Sequence, residues 1–194
     1  MNKEGINKKS KLIIIGGARG TDSFLVSNSF YTRLKDFEIL YTGKMLNDIA
    51  HRFSINSLDD ASLMNYYKFI EPSMIDKIIT YLSMKNLIIE THYHYTTPGI
   101  TTNALRQLGQ KASKIALVLV ESNPRVIYEK NLTNKIKWYK NIKNIEQDII
   151  SNKDYFYIYN NILNKITDVK KFRICPTLKN MNKQVNLAIK FLGD

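Results

Sequence analysis

Residues 13–23 read Ile13-Ile14-Ile15-Gly16-Gly17-Ala18-Arg19-Gly20-Thr21-Asp22-Ser23, and this stretch decides the fold. Lys11 to Gly16 (KLIIIG) is a short apolar run rich in β-branched residues and closed by glycines, which is the pattern of a buried strand. From Asp22 to Lys35 the spacing of Phe24, Leu25, Asn28, Tyr31 and Leu34 predicts a helix. A strand that runs through a glycine-bearing turn directly into a helix is a β-loop-α unit, and the rest of the chain repeats the alternation. Phe37 to Tyr41 (FEILY) reads as a second strand, and Thr42 to Phe53 places Met45, Leu46, Ile49, Ala50 and Phe53 on one helical face. Leu58 to Ile70 reads as a helix, and Pro72 stands at the first turn of a further one ending near Lys85. Leu87 to Glu90 is the third strand, Thr91 to Gly99 a polar loop, Lys114 to Val120 a fourth strand apolar on both faces, and Pro124 opens another helix. A long helix over about Asn144 to Ile166, a fifth strand over Phe172 to Cys175 and a last helix over Val185 to Leu192 complete the pattern. Five strands alternating with helices argue an α/β fold in three layers, a five-stranded mostly parallel sheet covered on both faces.

The chain has 194 residues, 44% hydrophobic and 24% charged, with 8 Gly and 4 Pro. Residues 1–10 (MNKEGINKKS) read as a solvated tail and 11–194 as one domain. The longest apolar runs, Leu12 to Ile15 and Ile115 to Val120, are strand-sized, which excludes a membrane-spanning helix. The lone Cys175 excludes an internal disulfide framework and a Cys-rich zinc module; a cytoplasmic location and a buried, apolar Cys175 are the expectations. The net charge is +12, and from Lys111 onward 16 Lys or Arg face 7 Asp or Glu, so the excess is regional. Such a balance points to phosphate-bearing partners without choosing among them.

The stretch that sets the fold also carries the chemistry. The pattern G-x-x-x-x-G-K-[ST] uses glycines so that backbone N–H groups can curl around phosphate, a Lys to reach the outer phosphates and a hydroxyl for Mg²⁺. Gly16 and Ser23 match it, whereas Thr21 and Asp22 replace the second Gly and the Lys. A carboxylate at the lysine position adds repulsion, of order ~4 kcal/mol per unit charge pair at about 4 Å. Asp22 also suits the start of a helix, and Arg19 is positioned to restore part of the missing charge. Glu90, at the carboxyl end of a buried strand, is where an acidic partner for Mg²⁺ belongs. His92 and His94 alternate with Tyr93 and Tyr95, so in an extended loop the two histidines share a side, with no third zinc ligand at metal-like spacing. Tyr155, Tyr157 and Tyr159 cannot share one face of a helix and read as core and rim.

Taken in order, these strings resemble an archaeal-type adenylate kinase, a branch of the P-loop nucleoside monophosphate kinases. Tyr41-Thr42-Gly43-Lys44-Met45-Leu46 is similar to the family segment that opens the acceptor helix. Ile88-Ile89-Glu90-Thr91-His92, followed by Thr97-Pro98-Gly99, resembles the strand end "DTH" and its later "TP" step. Ala116 to Glu121 with Ser122-Asn123-Pro124-Arg125-Val126-Ile127 is similar to the strand and helix that precede the lid. The resemblance implies a P-loop fold that binds nucleoside mono- and triphosphates, with ATP and Mg²⁺ as donor and metal. Gly16, Gly17, Ala18, Arg19, Gly20, Thr21, Asp22, Ser23, Thr42, Gly43, Thr91 and His92 would bind nucleotide, and Ser23 and Glu90 would hold the metal. Arg19, Lys135 and Lys137 would carry catalysis, with a lid over about 130–144.

The departures are as informative as the matches. Asn47 stands where the family pattern has Arg, Glu129-Lys130 stands where a basic pair is expected, and the segment Asn131 to Asn144 holds Lys135, Lys137, Lys140, Lys143 and Trp138 without an Arg. Lysine supplies charge but not a bidentate fork. Two further readings therefore stand beside phosphoryl transfer: a catalytically weak or silent nucleotide-binding relative, and, less favoured, a nucleic-acid-binding module using Lys130 to Lys143.

Overall fold

The computed structural model describes residues 9–53, 55, 60–94, 99–133 and 139–193, with residues 60–64 and 178 by backbone alone. Lys135, Lys137, Trp138, Tyr95, Thr97 and Pro98 lie outside the described residues, as does most of the N-terminal tail. Five strands, β1 (Ser10–Gly17), β2 (Phe37–Tyr41), β3 (Asn86–Glu90), β4 (Ala112–Val120) and β5 (Asp168–Ile174), form one sheet in the order β2-β3-β1-β4-β5. All four pairings are parallel. Among the described residues, seven helices connect or follow them: α1 (Ser23–Tyr31), α2 (Thr42–Arg52), α3 (Asp60–Met84), α4 (Thr102–Lys111), α5 (Pro124–Thr133), α6 (Ile142–Leu163) and α7 (Leu178–Gly193).

The two faces of β1 show why the chain folds this way. Successive strand side chains point to opposite faces. Ile13 and Ile15 join Ile88, Val118 and Phe172 under α1 and α7, through Val26, Phe30, Val185 and Leu192. Leu12 and Ile14 join Leu87, Ile89 and Leu117 under α2, α3, α4 and α6, through Ile49, Met74, Ile78, Leu105 and Phe156. A run apolar at every position is thus buried on both sides, as the center of a parallel sheet demands. Because α1 and α4 cover opposite faces, the chain departs in opposite directions from neighbouring β1 and β3, which opens a crevice at their carboxyl ends.

Three local expectations are corrected. Pro72 does not open a helix but lies inside α3, which runs unbroken for 25 residues. A proline removes the bond to the carbonyl of residue 68; Lys68 and Pro72 are both exposed, while Tyr67, Ile70, Met74, Ile75, Ile78 and Leu82 on the inner face are buried. Core burial on that stripe outweighs one lost hydrogen bond. Residues 100–113 carry no element in the sequence reading but hold α4, capped by Thr101 Oγ1 on the Ala104 N–H and packed through Ala104, Leu105 and Leu108. Cys175 is exposed rather than buried, since β5 stops at Ile174 and the chain leaves the sheet there. The tyrosines of α6 divide as expected, with Tyr159 buried and Tyr157 on the rim.

Candidate functional site

The carboxyl edge of β1 leads into a tight turn. Thr21 closes it by donating its N–H (3.2 Å) and its hydroxyl (2.8 Å) to the Ala18 carbonyl, with Gly20 at φ 81°. A side chain at position 20 would be strained in that left-handed conformation. Gly16 is required for a different reason: a Cβ there would sit 2.8 Å from the Tyr93 ring. Tyr93 is fully buried and donates its hydroxyl between the Ile14 (3.0 Å) and Val118 (2.9 Å) carbonyls. The first glycine of the motif therefore makes room for an aromatic ring beneath the loop.

Asp22 occupies the N-cap position of α1, yet its side chain makes no capping bond to the helix. The Asp22 carbonyl takes the Leu25 N–H at 3.1 Å, and the first turn of α1 has no side-chain cap, which is the kind of helix start that accepts an anion. The Asp22 carboxylate instead takes Lys130 of α5, whose Nζ lies 2.7 and 2.8 Å from its two oxygens.

Beside this lip lies the corner suited to a metal. Register places Glu90 opposite Ile15 of β1 and Tyr41 of β2. Ser23 donates its hydroxyl to Glu90 Oε1 and Ser27 to Oε2, both at 2.8 Å. Burial and the nearby Glu90 charge raise the Tyr41 hydroxyl above its ordinary value, which keeps that ring neutral at the edge of the corner. Among the described residues, no three His, Cys, Asp or Glu side chains converge on a metal-sized site. A hydroxyl and one carboxylate are nevertheless the hard oxygen donors that Mg²⁺ accepts when phosphate and water complete its shell.

The remaining candidate residues bind one another. Thr42 and Thr91 are both buried; Thr42 Oγ1 donates to the Glu90 carbonyl at 3.2 Å, and the two hydroxyl oxygens stand 3.1 Å apart. Thr91 also ties its N–H to the Ile15 carbonyl at 2.8 Å. His92 Nδ1 lies 2.9 Å from the Gly17 carbonyl, so that nitrogen donates. Gly43 lies in the first turn of α2 with open space where a Cβ would be. His92 and His94 do not act as a pair, because the His94 ring stacks on Tyr155 at 4.6 Å.

Sequence reasoning did not find the other side of the lip. Asp148, on α6, accepts the Arg19 N–H at 3.1 Å through Oδ2 and the Tyr139 hydroxyl through the same oxygen. Tyr139 also donates toward the Arg19 carbonyl at 3.2 Å. Burial, and then the Asp148 carboxylate, push the Tyr139 hydroxyl well above its ordinary range, so it remains a donor. Asn152, one turn further on, holds Asp148 Oδ1 (2.9 Å) and the His94 carbonyl (2.7 Å) with its amide, and accepts the Tyr93 N–H (3.0 Å). Next to this network lies a cleft of about 450 Å³ lined by His94, Tyr139, Lys140, Asn144, Gln147, Asp148 and Ser151. Among the described residues the buried His94 Nδ1 has no hydrogen-bond partner, and burial lowers the His94 pKa despite the opposing pull of Asp148. An acidic residue on an amphipathic helix carries no local signal for such a role.

No protein-family model matches the chain, and no curated protein matches it by sequence. Solved structures do match. The tunicamycin resistance protein of Deinococcus radiodurans superposes with a TM-score of 0.62 at 12% identity, over 95% of this chain and 96% of that one. The shikimate kinase of Acinetobacter baumannii, in complex with shikimate, gives 0.53 at 14% identity over 96% and 92%. That of Bacteroides thetaiotaomicron gives 0.55 at 12% over 94% and 98%. The chain therefore has the fold of the P-loop kinases.

Proposed function

We propose that the chain binds ATP with Mg²⁺ at the turn between β1 and α1 and transfers the terminal phosphoryl group to a small acceptor, a nucleoside monophosphate on the resemblance in its sequence. The observation that carries the reading is the Ser23–Glu90 contact at 2.8 Å beneath the first turn of α1. It joins a hydroxyl and a carboxylate at a helix start that has no side-chain cap, and this combination suits a metal-bound polyphosphate. Ser23 would hold the Mg²⁺ with Glu90 orienting it, and the ion would supply neutralisation of charge on the phosphates. The loop from Gly16 to Ser23 presents backbone N–H groups to the phosphates. Arg19, with Lys135 and Lys137 of the lid segment, is assigned to stabilising charge as the phosphoryl group moves. Asp148 sits on the Arg19 N–H in the present arrangement and would leave it when a phosphate oxygen takes its place.

Binding without transfer is the second reading, supported by Asp22 at the lysine position and by Asp148 on a loop N–H. One experiment separates the two: a coupled phosphotransfer assay over the nucleoside monophosphates and small hydroxyl acceptors with ATP and Mg²⁺, alongside calorimetry of ATP binding. Turnover lost in Ser23→Ala and Glu90→Gln supports transfer. Mg²⁺-dependent ATP binding without turnover supports the silent relative, and no ATP binding at all removes the reading.

A further inference from the structure

The ion pair at the lip has a property that a simple surface bridge lacks. Asp22 stands at the N-cap of α1, where an aspartate ordinarily turns back to cap its own helix, and it forgoes that bond for Lys130. Lys130 is held in place from behind. Its helix is anchored by Ile127, which packs with Tyr139 and Ile145, and by buried Asn131, whose amide donates to the Tyr139 carbonyl at 3.2 Å. An ammonium has three N–H donors, and the carboxylate of Asp22 takes two contacts, at 2.7 and 2.8 Å. A donor is left over at a helix start that has no side-chain cap.

We infer that Lys130, delivered from α5 and held by Asp22, supplies the phosphate-binding positive charge that the loop lacks at position 22. The inference rests on the nucleotide reading above and names the residue that makes it workable. Asp22 is then a positioning residue: it cancels its own repulsion of phosphate by pairing, and fixes the ammonium at the N-cap residue of α1. The arrangement moves the cation from the loop itself to a helix 108 residues further along the chain, so anion binding at the loop depends on how α5 is seated.

The test is titration of a fluorescent N-methylanthraniloyl-ATP in Mg²⁺ at low and high salt, with thermal melting of each variant. Lys130→Ala is expected to weaken binding at least about tenfold at roughly 0.05 M salt and to flatten the salt dependence. Lys130→Met keeps the apolar stem and is read in its place if the alanine variant melts early. The double variant Asp22→Lys with Lys130→Ala returns the charge to the loop and should recover affinity to within about threefold of the wild type, which loss of a merely structural bridge would not do. Wild-type affinity in folded Lys130→Ala or Lys130→Met overturns the assignment, as does a folded double variant that stays weak. Failure of the wild type itself to bind the probe overturns the nucleotide reading instead.

Discussion

The two sides of the β1–α1 turn are built in contrasting ways. On the inner side, Ser23, Ser27 and Glu90 come from β1's own helix and an adjacent strand, and each carboxylate oxygen meets one hydroxyl at 2.8 Å. On the outer side, Asp22 and the Arg19 N–H are met by Lys130 and Asp148, partners 108 and 129 residues away on α5 and α6. The inner side brings together hydroxyls and a carboxylate, hard oxygen donors of the kind Mg²⁺ accepts. The outer side holds two carboxylates, one paired with a lysine and the other seated on a backbone donor. The difference teaches that residues of one helix and one neighbouring strand build one side of the turn, whereas distant helices supply the partners of Asp22 and the Arg19 N–H on the other.

The largest expected effect breaks the floor shared by both sides. Tyr93→Ala removes the ring packed under Gly16 and against Phe156 and Tyr159, and should cost about 3–5 kcal/mol by denaturant unfolding. Tyr93→Phe, which loses only the hydroxyl shared by two carbonyls, should cost about 1–2 kcal/mol. If the two variants proved equally stable, the ring would not be the support described here.

Glu90→Gln attacks the inner side alone. Its amide oxygen can still accept from one serine, so the melting temperature should change little, while Mg²⁺-dependent phosphotransfer falls by about 10²- to 10³-fold. A variant that retained its Mg²⁺ dependence would move the metal site away from β3.

Asp148→Asn sharpens the outer side. Replacing the carboxylate weakens its charge-assisted bonds to Tyr139 and the Arg19 N–H, which should lower stability by about 1 kcal/mol. Removing a negative charge of α6 from beside the loop should at the same time tighten ATP binding severalfold in calorimetry. Weaker ATP binding in the variant would show that Asp148 helps rather than competes with the nucleotide.

The smallest effect is a pH slope. Burial lowers the His94 pKa from its ordinary 6.5, so the unfolded chain binds this proton more readily than the fold does. Stability carried by neutral His94 is then present above pH 6.5 and declines as the pH falls through 6.5 toward the lower folded value. Urea midpoints measured from pH 7.5 to 5 should fall in the wild type and fall less in His94→Asn; parallel curves would remove His94 as the cause.

Much of the fold was legible because its signals are local. The β-branched run ending at Gly16, the helical spacing after Asp22 and the apolar strand from Lys114 to Val120 each follow from periodicity within a few residues. Parallel neighbours then follow from the alternation of strand and helix, and Glu90 and Ser23 could be singled out because each terminates or opens such an element. Pro72 misled for the complementary reason: local preference argued for a helix start, and the buried stripe from Tyr67 to Leu82 kept the helix whole.

By itself, then, the sequence determined the alternation of strands and helices and the glycine-bearing turn after β1, and it singled out Ser23 and Glu90 one by one, since each depends on residues close along the chain. Only the tertiary structure decided what faces Asp22, what sits on the Arg19 N–H and why Gly16 has no side chain. Lys130, Asp148 and Tyr93 meet the loop only when α5, α6 and the segment after β3 pack around it. Contacts across such separations are set by the closure of the whole core rather than by any local pattern, so no reading of spacing or propensity contains them.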